Sequence, residues 1–213
     1  MRFNCLRFKC LSRVVVLSVL LSVSIAAAFG ADNDHAKFTV HPVNEYPHRQ
    51  TSEKVTIAAQ ALETDAETAE AFGKVNPYRL GILPVLIVIR NDSHDAIRVD
   101  RLKFVYVLPD RTRVEATPAH DVQYIHGAKQ PQGVNKPMGG IGIRKNSKNP
   151  LAEWEIEGRA FAAGMIPPGQ SASGFVYFQT ELSSAAASVY ISGLTDPVTN
   201  KELFYFEIPM SGN

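Results

Sequence analysis

Leu83-Pro84-Val85-Leu86-Ile87-Val88-Ile89-Arg90-Asn91-Asp92-Ser93 is the stretch on which the reading of the fold turns. Val85 to Ile89 are apolar without a break, so neither alternation parity is reserved for water. The run is short and rich in β-branched residues, which predicts a strand over 83–90 that can be covered on both faces. Asn91-Asp92-Ser93 then turns the chain.

On the C-terminal side, 97–108 carries Ile97 and Val99 on one parity and Leu102, Phe104, Tyr106 and Leu108 on the other. The switch predicts a β-bulge near Asp100 and Arg101. Pro109-Asp110 predicts a hairpin turn, with 111–116 returning beside its partner. On the N-terminal side, Phe38 and Val40 suggest a strand over 37–43. Val55, Ile57, Ala59 and Ala61 suggest another over 54–62. Between them and the central run, 64–72 reads as a short helix, with Thr64 as N-cap, Asp65 and Glu67 in the first turn and Gly73 just past the end. Further strands are expected over 172–179, 186–192 and 202–208.

Residues 117–168 interrupt this pattern. Thr117-Pro118 opens a helix expected over 119–126. Residues 128–149 are rich in Gly, Pro, Lys and Asn and have no periodicity. Pro150 opens a second helix, expected to run to 163 with Leu151, Trp154 and Phe161 and weakened by Gly158. Short strands and turns without β-α-β alternation predict an all-β fold. The expectation is one antiparallel β-sandwich domain over 31–213, of seven to eight strands, with short helices and the long insertion 117–168.

Two segments carry a resemblance. Residues 83–93 followed by Ile97 resemble the strand–turn–strand of small exported immunoglobulin-like domains in bacteria. Ile166-Pro167-Pro168-Gly169 leading to Gly174-Phe175-Val176-Tyr177-Phe178 is similar to their proline-glycine turn and following strand. The resemblance implies an immunoglobulin-like sandwich. It implies nothing about activity and carries over no site residue.

Residues 1–30 read as a unit of their own. Arg2, Arg7, Lys9 and Arg13 precede an apolar run over 14–29, and Ala26, Ala27, Ala28, Gly30 and Ala31 supply small residues. That order is the pattern of a cleavable signal peptide, and the run is shorter than the ~20 apolar residues of a spanning helix. Cleavage is expected after Gly30, with Ala28 as the alternative. The exported chain is then periplasmic or secreted, with no membrane span. Cys5 and Cys10 both fall within the leader, which removes disulfides and thiolate metal sites from the mature domain. Taking the leader's four basic residues from the chain's 22 leaves 18 against 21 acidic residues, a balance of −3. A weakly acidic domain without a basic stripe argues against nucleic acid.

Candidate chemistry is sparse. Ser93-His94-Asp95 contains the residue types of a hydrolytic triad, but sequence neighbours do not form that relay, and no G-x-S-x-G elbow is present. His41 and His48 flank a proline-rich turn, and His120 and His126 lie six apart, the wrong spacing for paired helical ligands. His35 would complete an amino-terminal metal motif only if Asn33 came first. Glu153, Glu155 and Glu157 read as a solvated face. Met138 to Lys145 is glycine-rich but lacks the G-K-[ST] ending of a phosphate loop. Within it, Ile141 and Ile143 stand among glycines beside Arg144, Lys145 and Lys148, a pattern suited to a contact loop.

These readings predict an exported, non-catalytic domain without cofactor or metal, binding an envelope or extracellular protein through Ile141, Ile143, Arg144, Lys145 and Trp154. Two alternatives stand beside it. One is a carbohydrate-binding module using Trp154 with Tyr124. The other is a hydrolase or metal enzyme assembled from His120, Asp121, His126 and Glu153.

Overall fold

In the computed structural model, which describes residues 38–73, 75–125, 149–152, 154–180 and 185–210, the apolar run lies in strand β3, Ile82–Asn91. Its two parities serve two separate cores. Leu83, Val85, Ile87 and Ile89 point into one apolar cluster, and Ile82, Leu86 and Val88 into another. Residues 1–30, where the sequence predicts a signal peptide, lie outside the described residues.

The described residues hold ten strands, all paired antiparallel: β1 (Arg49–Ser52), β2 (Val55–Ala61), β3, β4 (Ile97–Arg98), β5 (Lys103–Val107), β6 (Arg113–Thr117), β7 (Met165–Ile166), β8 (Ser171–Gln179), β9 (Ser188–Ser192) and β10 (Phe206–Pro209). Eight form one ladder in the order β1-β2-β3-β8-β6-β5-β9-β10, and β4 pairs with β7 apart from it. The chain is mostly β and antiparallel, as expected, but the described strands number ten rather than seven to eight, and eight of them share one ladder. β6 pairs with β5 through Arg113–Glu115 and with β8 through Ala116 and Thr117, which joins the two halves. The ladder curls nearly into a barrel, and at its open seam the Glu207 amide in β10 donates to the Gln50 side chain in β1 at 2.8 Å.

The curl encloses the first core. Ile57 and Ala59 of β2, Val176 and Phe178 of β8, Tyr106 of β5, Val189 and Ile191 of β9, and Phe206 and Ile208 of β10 all meet β3's odd positions there. The second core lies on the outer face of β2-β3-β8. Helix α1 (Asp65–Phe72), helix α2 (Ala119–Val122) and helix α3 (Trp154–Gly158) cover that face, with Phe72, Val122 and Ile156 facing Leu86, Phe175 and Tyr177. α1 follows its sequence signals closely. Thr64 and Glu67 form a reciprocal capping box, and Gly73 ends the helix by donating to the Ala69 carbonyl.

Several local expectations change. The parity switch near Asp100 is a transfer between ladders: Ile97 and Arg98 pair with β7, and the chain joins the main ladder only at Lys103. Residues 38–42 form no strand, and the first strand is β1, hairpinned to β2. The helix expected from Pro150 to 163 is a 3₁₀ turn, Pro150–Ala152, followed by α3. The segment 117–168 is not wholly outside the sheet system, since it begins within β6 and contains β7.

That segment also closes an edge. β6 covers β8 only at Tyr177 and Phe178. Further along, Ala160 bridges Phe175 in parallel, the Phe161 amide donating to the Phe175 carbonyl at 2.9 Å and the Phe175 amide to the Arg159 carbonyl at 2.8 Å. Gly174 permits the approach, because a Cβ there would sit 2.4 Å from Phe161 Cα and 2.6 Å from its amide nitrogen. Gly174→Ala is therefore expected to push 159–161 off the sheet and lower stability by on the order of 2–3 kcal/mol. Chemical denaturation and amide exchange at Phe161 and Phe175 check this; unchanged protection at both amides would contradict it.

Candidate functional site

Trp154 is the one sequence-predicted contact residue that the structure describes; Ile141, Ile143, Arg144 and Lys145 lie outside the described residues. Trp154 begins α3 and is 51 % exposed. Its indole lies over Gly158, one helical turn on, where a Cβ would approach Trp154 Cε3 to 2.8 Å. Gly158, read from sequence as a weakness in the helix, makes room for that ring.

Among the described residues, Ser93, His94 and Asp95 form no relay. Ser93 Oγ bonds to Asn91 Oδ1 at 2.6 Å and to the Asp95 carbonyl at 2.9 Å, while His94 Nε2 lies 3.5 Å from Lys54 Nζ. The centre of this turn is Asn91, fully buried, whose amide nitrogen also donates to the Ile166 carbonyl at 3.0 Å. His41 pairs with Glu45 at 3.3 Å, and His120 with Asp121 at 3.5 Å. His35, His126 and Glu153 lie outside the described residues. No group of three or more metal-ligating side chains occurs among the described residues. Glu155, expected on a solvated face, is buried: in a helix it turns ~100° from Ile156, and both reach the covered side.

Among the described residues, charged groups line at least two surface clefts. One, of about 470 Å³, lies between α1 and the 3₁₀ turn Tyr78–Leu80, with Pro150 on its rim. Its charges are committed to each other, since Asp65 accepts from Arg79 and, at 2.5 Å, from Asn76 Nδ2. The other, of about 420 Å³, lies over β1, β2, β3 and β8 and is walled by Pro42, Val43 and Asn44. Its floor is a polar row set by register: Thr51 faces Thr56, Thr56 faces Arg90, and Arg90 faces Ser171. Arg49, two residues from Thr51 in β1, lines the same cleft. Period-2 spacing places each of these residues on a strand, but only the register brings them into one row.

The tyrosines that recur on the last strands divide. Tyr177 is buried and donates to the Ile156 carbonyl at 2.6 Å, tying β8 to α3. Tyr190 and Tyr205 contact each other on the outside of β9 and β10, ring centroids 5.3 Å apart and planes at 31°, with Tyr205 mostly exposed. Tyr124, the other expected aromatic, is half-buried just beyond α2.

No family model matches the chain, and no curated protein matches it. Among solved structures it is similar to a functionally unknown protein from Listeria monocytogenes EGD-e, at 13 % identity, covering 78 % of this chain and 82 % of that one, with a TM-score of 0.33.

Burial holds the Tyr106 and Tyr177 phenols well above their ordinary value of 10.0. The folded chain therefore keeps protons that the unfolded chain releases, so stability is whole below pH ~10 and falls as pH rises further. Loss of the circular-dichroism signal is expected together with the appearance of buried tyrosinate absorbance on alkaline titration. Ionisation of both phenols within an intact fold would contradict this.

Proposed function

We propose that the chain is an exported, non-catalytic β-domain that binds a protein partner in the cell envelope or beyond it. The observation that carries the reading is Trp154. It is the chain's sole tryptophan, half-exposed on a helix anchored to a rigid sheet. Tryptophan is enriched among the residues that dominate binding energy at protein interfaces. Ile141 and Ile143, among glycines in the sequence, with Arg144 and Lys145 are further proposed contacts, and the basic-apolar-small order of residues 1–30 supports export.

An immunoglobulin-like topology belongs to this proposal. Its support is the strand order. With β2, β3, β5, β6, β8, β9 and β10 taken as A to G, the orders β2-β3-β8-β6 and β5-β9-β10 read A-B-E-D and C-F-G. β1 is then an added edge strand.

A second reading, glycan binding, is favoured by the Tyr190–Tyr205 pair. Aromatic faces stack on the apolar faces of sugars, and here they stand beside the Glu207 carboxylate, the register partner of Tyr190.

Photo-crosslinking in cells, with the probe placed in turn at positions 154, 143 and 198, tests the first reading. A discrete protein adduct in the envelope or medium is expected from 154 and 143, and none from the exposed loop residue Val198. Adducts from all three positions alike, or retention of the uncleaved chain in the cytoplasm, would contradict it. Saturable glycan binding lost on Tyr205→Ala would favour the second reading.

A further inference from the structure

We propose that the cleft over β1, β2 and β3 is an oxyanion-binding groove, built for the carboxylate or phosphate of a ligand lying along Thr56. The inference depends on neither export nor a protein partner.

Two guanidiniums converge on the groove from different strands. Arg49 and Arg90 lie two strands and two residues apart on the same outer face, about 12 Å between Cα atoms by strand geometry. Both line the one cleft, whose ~420 Å³ suits a small anion with part of its parent molecule.

Each guanidinium is anchored by one end. Arg49 Nη1 donates to the Tyr46 carbonyl at 2.5 Å, and Arg90 Nε donates to Asp92 Oδ1 at 2.7 Å. Among the described residues neither makes a further hydrogen bond or ion pair, so the remaining N–H groups stay available. An anchored guanidinium loses less freedom on binding than a loose one, and its planar fork matches an oxyanion.

The floor adds neutral donors. Thr51 and Thr56 hydroxyls share one hydrogen bond at 2.9 Å, while Ser171 and Asn44 present polar side chains with no partner among the described residues. The opposing charge is Asp92, at the rim. It offsets one arginine and leaves one positive charge in excess, which fits a singly charged group better than a polyanion. In the other cleft the single arginine, Arg79, is matched by Asp65, so no positive charge is left in excess there.

The test is amide chemical-shift titration of the purified protein at pH ~6, with inorganic phosphate, there chiefly singly charged, in one arm and N-acetylglycine, which has a single carboxylate, in the other. Saturable shifts are expected at Thr51, Thr56, Arg90 and Ser171. Arg49→Gln and Arg90→Gln should each weaken binding at least tenfold, and Arg113→Gln, on β6 outside the groove, should not. Thr56→Glu, which places a carboxylate on the floor, should abolish the response while leaving the circular-dichroism spectrum unchanged. Saturation in one arm assigns the source as phosphate or carboxylate, and saturation in both supports the shared chemistry. Absence of saturable shifts in both arms, or binding that persists in Thr56→Glu, overturns the proposal.

Discussion

The rest of the structure depends on burying both faces of β3. A strand whose neighbours in sequence are all apolar has no side to turn to water, and each of its large side chains gains roughly 1.5–3 kcal/mol from full burial. One sheet face can be covered by curling the sheet on itself, and the ladder does so, bringing β5, β9 and β10 over Leu83, Val85, Ile87 and Ile89. The other face needs a second layer. That layer is supplied by α1, α2 and α3, whose apolar residues meet Ile82, Leu86 and Val88. The interruption of the β pattern at 117–168 thereby acquires a structural role, because α2 and α3 both come from it.

Polar groups fix what burial alone leaves free. Buried Asn91 joins the turn after β3 to the end of β7, through the Asp95 and Ile166 carbonyls, while the Gly169 amide donates to the Asn91 carbonyl at 2.7 Å. The segment 159–161 takes the part of the β8 edge that β6 leaves open, which limits the exposed ladder available for unwanted pairing. Gln50 bridges the seam between β1 and β10 with a side chain where no ladder forms.

The parts of the fold legible in the sequence were those encoded locally. The capping box at Thr64 and Glu67, the hairpin after Leu108 and the doubly buried run over 83–90 each need only a few neighbouring residues. What the sequence withheld depends on partners far along the chain. The change of parity near Asp100 reads as a bulge until β7, more than sixty residues away, is seen paired with Ile97 and Arg98. Glu155 reads as solvated until its helix is seen packed against the sheet. The candidate sites follow the same division. Trp154 was visible as a lone aromatic, whereas the Arg49–Arg90 groove has no signature without the register of four strands.

The proposed surfaces all stand on this doubly covered strand, and a paired substitution tests it most directly. Leu86 and Ile87 are adjacent in sequence and face opposite cores. Equilibrium denaturation of Leu86→Ala and Ile87→Ala should show both losing about 2–5 kcal/mol, the cost of emptying a packed site. A loss confined to Ile87→Ala, with Leu86→Ala within ~0.5 kcal/mol of the parent as a surface change would be, would mean that the helical layer does not cover the sheet.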